Sequence, residues 1–139
     1  MRQAFTLTET LITLAIVGLL AAITVPGATR YLDRMHVRDA ATELATACAV
    51  ARHLAIRRSA RASLRLDGER GRVVVHAGAD TVRVLDLAGG HRVRLEASRD
   101  SIAYGPTGLG FGASTATVII TRGRAAETLF VSRLGRVRR

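Results

Sequence analysis

No residue from Thr10 to Thr29 is charged, and most of them are apolar. As a helix, such a run is long enough to cross the ~30 Å hydrocarbon layer of a bilayer. Whatever else the chain builds must leave that surface to lipid or to other apolar helices. Only Met1-Arg-Gln-Ala4 precede Phe5, too little for the basic region of an ordinary secretory signal. No small-x-small cleavage site occurs before Pro26, so the run is expected to be retained. Glu9 is its anomaly. A carboxylate costs ~2.5–3.5 kcal/mol at the centre of a membrane helix and less near an interface. No Lys, Arg or His lies within a helical turn of it. It reads either as a headgroup-level acid on a plain anchor or as an acid awaiting a cation from another chain.

Ala4, Phe5, Thr6, Leu7, Glu9 and Pro26 fit one pattern: a short basic leader, a small residue, Phe-Thr-Leu-x-Glu, and an apolar helix running to proline. The pattern resembles the class III signal of type IV pilins and type II secretion pseudopilins. The resemblance implies that a prepilin peptidase cuts between Ala4 and Phe5 and methylates the new Phe5 amine. It further implies that Glu9 pairs with the Phe5 amine of a neighbouring subunit during filament growth. Two positions depart from the pattern: Ala4 stands where the family usually has Gly, and Thr8 where it usually has an aliphatic residue.

The 139 residues allow one anchor and one small domain, and the segment beyond residue 60 can bury only a modest core. All 21 basic residues are arginine, and the formal net charge is +10, which attracts anions such as nucleic acid or acidic lipid. Cys48 stands alone among small apolar residues, so it reads as a buried thiol rather than a disulfide or metal ligand. Arg2 precedes the apolar run, while Arg30, Arg34 and Arg38 come after it. By charge bias alone, the C-terminal part would face the cytoplasm. The pilin resemblance implies the periplasm instead, with a single pass of the inner membrane.

From Phe5 to about Ala60 the pattern predicts one long helix, roughly 80 Å at 1.5 Å per residue, broken or bent at Pro26-Gly27. Residues 5–29 form its membrane half and 30–60 an amphipathic half. In the latter, Ala41, Leu44, Cys48, Ala51 and Ala55 recur at helical spacing as an alanine-rich seam for a sheet to pack on. Arg57, Arg58 and Arg61 close the helix, either as cations complementing its C-terminal dipole or as a basic anion-binding face. The period then changes to two. Ser63–Leu66, Arg72–His76, Thr81–Leu85, His91–Leu95, Asp100–Ala103, Thr115–Thr121 and Thr128–Ser132 read as strands separated by glycine turns. Helix first and sheet after predicts an α+β fold, with residues 61–139 as an antiparallel sheet or sandwich.

Tyr104–Gly112 is glycine-rich, but no Gly-Lys-Ser/Thr comes after it, so it reads as an inter-strand loop. His36, His53, His76 and His91 make no metal-binding spacing, Asp67-Gly-Glu69 lacks calcium-loop spacing, and no Gly-x-Ser-x-Gly is present. The sequence therefore points to no enzyme, metal or other cofactor. The order Ile102-x-Tyr104-x-x-x-Gly108, a strand, and a hairpin closing on Gly135-Arg136-Val137-Arg138 resembles the C-terminal domain of the GspH/FimT minor pilins. That resemblance implies a type IV pilin-like fold and a place among other pseudopilins or pilins in a secretion pseudopilus. Its competence-associated branch implies an alternative, a type IV minor pilin that binds DNA through Gly135, Arg136 and Arg138. Arg133 and Arg139 would add charge on a terminus read as flexible. A third reading is an anchored sandwich that never polymerises.

Overall fold

The computed structural model describes residues 6–112 and 114–139. The Ala4/Phe5 junction lies outside the described residues. The chain divides into two units, one ending at Leu32 and the other running from Asp33 to Arg139.

One helix, α1 (Leu7–Arg57), carries the first unit and enters the second. Pro26 lies inside it and does not end it, so of the break or bend expected at Pro26-Gly27 the break is absent. In the first unit Leu11, Ile12, Leu14, Ile16, Val17, Leu19 and Leu20 are all exposed. None of the most apolar stretch of the helix is buried, and by length and composition it can cross a membrane. α1 stops three residues short of the expected Ala60. Ser59 takes a left-handed φ of 46°, and the Ala60 amide closes back on the Ala55 carbonyl at 3.2 Å.

In the second unit, α1 buries Val37, Ala40, Ala41, Leu44, Ala47, Cys48, Ala51 and Ala55. This is the predicted seam. Its alanines bring the helix axis close to the sheets, and adding methylenes there would cost ~1–3 kcal/mol by overpacking. The first sheet holds β1 (Ala62–Asp67), β2 (Arg72–Ala77), β3 (Asp80–Asp86) and β5 (Ser101–Tyr104) in the order β3-β2-β1-β5. The second holds β4 (Arg94–Ala97), β6 (Ala116–Arg122), β7 (Ala125–Val131) and β8 (Val137–Arg138) in the order β4-β6-β7-β8. All pairings are antiparallel. Leu64, Leu66, Val73, Val75 and Leu85 from one sheet join Leu95, Val118, Ile120, Leu129 and Val131 from the other in one core with the helix seam.

His91 departs from expectation: it ends a short helix, α2 (Leu87–His91), instead of starting a strand. The Asp86 carboxylate accepts from the Gly89 amide at 2.9 Å, and Arg92 at φ 53° ends the turn before β4. Gly71 makes room for it, since a Cβ there would lie 2.5 Å from the Ala88 Cβ. Beyond Tyr104, which ends β5, the segment to Gly112 is a loop, as expected, held by an isolated bridge between Tyr104 and Gly110.

Candidate assembly and anion-binding sites

At the start of α1, Thr6 and Glu9 satisfy each other. The Glu9 carboxylate accepts from the Thr6 amide at 2.9 Å and from its hydroxyl at 2.8 Å, and the Glu9 amide donates to Thr6 Oγ1 at 3.3 Å. This is a reciprocal capping box, Thr-x-x-Glu, which covers two of the free amides at a helix N-terminus. Sequence reasoning finds no cationic partner for Glu9 and misses this neutral one, although the spacing carries the signal. Pro26 stands as an interior helix residue without side-chain chemistry of its own.

A polar clasp ties the second half of α1 to the sheets. Arg122 Nε donates to Asp33 at 2.9 Å, and its NH1 donates to the His91 carbonyl at 2.6 Å. His91 Nε2 meets Glu43 at 3.0 Å, and Arg83 approaches the other Glu43 oxygen at 3.8 Å. Gly123 at φ 55° lets the β6–β7 turn close over Asp33. None of these residues stands out in the sequence, because their partners lie far apart in the chain.

Behind the seam, Tyr104 is fully buried with its hydroxyl beside Cys48 and Arg52. Neither that hydroxyl nor Arg52 Nε has a well-formed hydrogen bond among the described residues, and the sulfur is a weak acceptor. Burial pushes the Cys48 thiol up to about 11, with the Tyr104 hydroxyl opposing it, and burial also raises Tyr104. A thiol ionising later in the folded state than its ordinary 9.0 holds a proton that the unfolded chain releases. Its contribution to stability is therefore complete below pH 9 and is lost as pH rises from 9 towards 11. Denaturant unfolding of wild type should lose up to about 2–3 kcal/mol more than Cys48→Ala between those limits. The native thiol should also resist alkylation at pH 7 until the domain unfolds.

The basic residues distribute unevenly. Arg58 pairs with Asp80 at 3.2 Å, and Arg61 stacks on Phe111 at 4.6 Å, so the end of α1 is not one open anion face. The C-terminus, expected as a flexible tail, is an ordered edge strand. β8 pairs with β7 through Phe130–Arg138 and Val131–Val137. Arg139 reaches Glu127 at 3.7 Å and donates to Thr42 at 2.7 Å, which fixes the end of the chain. Gly135 is buried at φ 72°, where a Cβ would stand 2.7 Å from the Gly108 carbonyl and 3.4 Å from Arg52. The motif glycine therefore has a packing role. Arg133, Arg136 and Arg138 are exposed, and among the described residues no carboxylate lies within 4.0 Å of them. Arg136 and Arg138 line a groove of about 630 Å³ with Ala45, Ala49 and Arg52 of α1.

A long capped helix with an alanine seam, packed on two four-stranded sheets, has counterparts among known proteins. The family model described as type II transport protein GspH matches residues 40–135. The chain belongs to the GspH family. Its fold is similar to that of the type IV minor pilin FimU of Pseudomonas aeruginosa, with a TM-score of 0.63 at 18% identity, over 78% of this chain and 90% of that one. It is also similar to the minor pseudopilin EpsH from the type 2 secretion system of Vibrio cholerae, with a TM-score of 0.58 at 13% identity, over 74% and 94%. No curated protein matches its sequence significantly. This GspH-family chain thus has the type IV pilin-like α+β fold expected from its sequence, and its family is one of pilin and pseudopilin subunits.

Proposed function

We propose that the chain is a minor pseudopilin, a structural subunit of a type II secretion pseudopilus, without enzymatic activity. The observation that carries this is the fully exposed apolar first half of α1, opened by Glu9, on a domain of the GspH family. A helix so apolar needs lipid before assembly and neighbouring helices after it. The subunit waits in the inner membrane as a single-pass protein with its sheets in the periplasm. Prepilin peptidase removes residues 1–4, and Glu9 then receives the methylated Phe5 amine of an adjoining pilin-type subunit. Intact mass of the protein extracted from membranes tests the processing: it should correspond to residues 5–139 plus one methyl group. Retention of Met1, or a cut after Ala22, contradicts it.

The DNA-binding type IV minor pilin is the second reading. It is favoured by the unneutralised Arg136 and Arg138, which flank Val137 at β8 and sit beside Gly135. Arg139 serves it less well, being held by Glu127 and Thr42. Each phosphate contact steepens the fall of log K with log salt by about 0.9. If both arginines touch phosphate, changing Arg136 and Arg138 to Ala should flatten that slope by up to ~2 units. The Arg83→Ala/Arg92→Ala pair should change it less. Equal losses from the two pairs would indicate general basicity and remove this reading.

A further inference from the structure

The groove beside β8 carries features that packing of α1 on its sheets does not require. Its floor is small and apolar, Ala45 and Ala49. One wall is an unpaired strand edge. Ser132 N donates to the Arg136 carbonyl at 2.9 Å, which makes 132·136 a hydrogen-bonded pair. In an antiparallel ladder such pairs alternate, so Phe130 and Arg138 form the next one. The N–H and C=O of Val137, between them, therefore turn away from β7, and Val137 lines the groove. The rim carries Arg52, Arg136 and Arg138, and no carboxylate lies within 4.0 Å of any of the three among the described residues. Arg52 also brings a buried Nε that has no hydrogen-bond partner there.

We infer that this groove receives an extended acidic segment of a different filament subunit, which adds as a strand to the edge of β8. The inference rests on the filament-subunit reading above. Backbone groups of the incoming strand bond to Val137, and its carboxylates face the three guanidinium groups. Small residues in the floor leave room for side chains on its other face, as β-augmentation requires. The occupant is not a second copy of this chain, because two chains of formal charge +10 repel. Duplex DNA would meet the arginines and the exposed His53 that also lines the groove, but a duplex has no use for the amide and carbonyl of Val137.

The test uses the full chain in detergent micelles and a fluorescent hexapeptide of alternating glutamate and valine. The peptide should bind saturably and slow hydrogen exchange of the Val137 amide at least tenfold. A version N-methylated on its alternate, β8-facing amides, and a version with lysine for glutamate, should each bind at least tenfold more weakly. Val137→Pro removes an N–H that points away from β7 and also trims a side chain packed against the core, so binding should fall at least tenfold in protein whose unfolding midpoint shows that the fold persists. Arg136→Ala/Arg138→Ala gives a second route to the same loss without touching the strand backbone. Equal binding by the N-methylated peptide, no binding at millimolar peptide, or a 20-base-pair duplex that binds more tightly and protects Val137, would each overturn the proposal. In cells, Val137→Pro protein that enters the filament like wild type would overturn it and leave the filament reading intact. Wild type that never enters a filament would instead remove the reading on which it rests.

Discussion

Replacing Gly135 by alanine should be among the most damaging single changes outside the central core. At φ 72° an L-residue pays ~1–2 kcal/mol for the left-handed conformation alone. The new Cβ would also stand 2.7 Å from the Gly108 carbonyl, a backbone atom that cannot swing aside. Relief requires the hairpin holding β8 to lift from the Tyr104–Gly112 loop. Gly78 is the control. It has a similar φ of 66°, yet nothing lies within 4 Å of a Cβ placed there. Thermal or denaturant unfolding should show Gly78→Ala losing about 1 kcal/mol and Gly135→Ala at least twice that. Equal losses would mean that the contact with Gly108 carries no weight. The comparison bears on function too, because a substitution at Gly135 that abolishes ligand binding would act through position, not through a contact of its own.

The second large effect concerns Glu9, and the structure separates its two roles. Its carboxylate already closes a capping box with Thr6. Glutamine can serve the same box, whereas alanine cannot. Glu9→Gln should therefore keep the helix start and lose only the negative charge, while Glu9→Ala loses both the charge and the bond to the Thr6 amide. Both variants should insert into the membrane, since removing a charge lowers the cost of the helix in lipid. If Glu9 is the counter-ion for an incoming amine, both should fail to assemble to the same degree. If it is only a cap, Glu9→Gln should assemble like wild type.

Much of this fold is legible from periodicity. The seam from Ala41 to Ala55 emerges because buried helical positions repeat at three and four, and the strands because burial alternates at two. β6 and β7 lie one to three residues from their expected bounds, since Gly123 allows a tighter turn than composition reveals. His91 looks like strand because its neighbours alternate, while a capping contact from Asp86 and the left-handed Arg92 decide the local structure. Of the break or bend expected at Pro26, the break does not occur: proline removes one helical hydrogen bond, and helix continues on both sides of it. Four arginines near the C-terminus suggest a free, solvated tail. Its order comes from Glu127 and Thr42, partners distant in sequence. The same distance hides the Asp33–Arg122 clasp and the approach of Arg52 to Gly108 and Gly135. The arginine pair at 136 and 138 is legible, but the open edge between them is not, because it depends on which ladder positions are bonded.

Site-specific cross-linking in cells reports whether the subunit enters a filament. A photo-reactive residue replacing Leu14, on the exposed apolar part of α1, would be activated in cells that carry the cognate secretion or pilus machinery. Wild-type protein should cross-link to the N-terminal helices of other pilin-type subunits, and these cross-links should be lost to the same extent in Glu9→Gln and Glu9→Ala. Cross-links to lipid alone in all three backgrounds, or equal subunit cross-links in all three, would contradict filament assembly through Glu9.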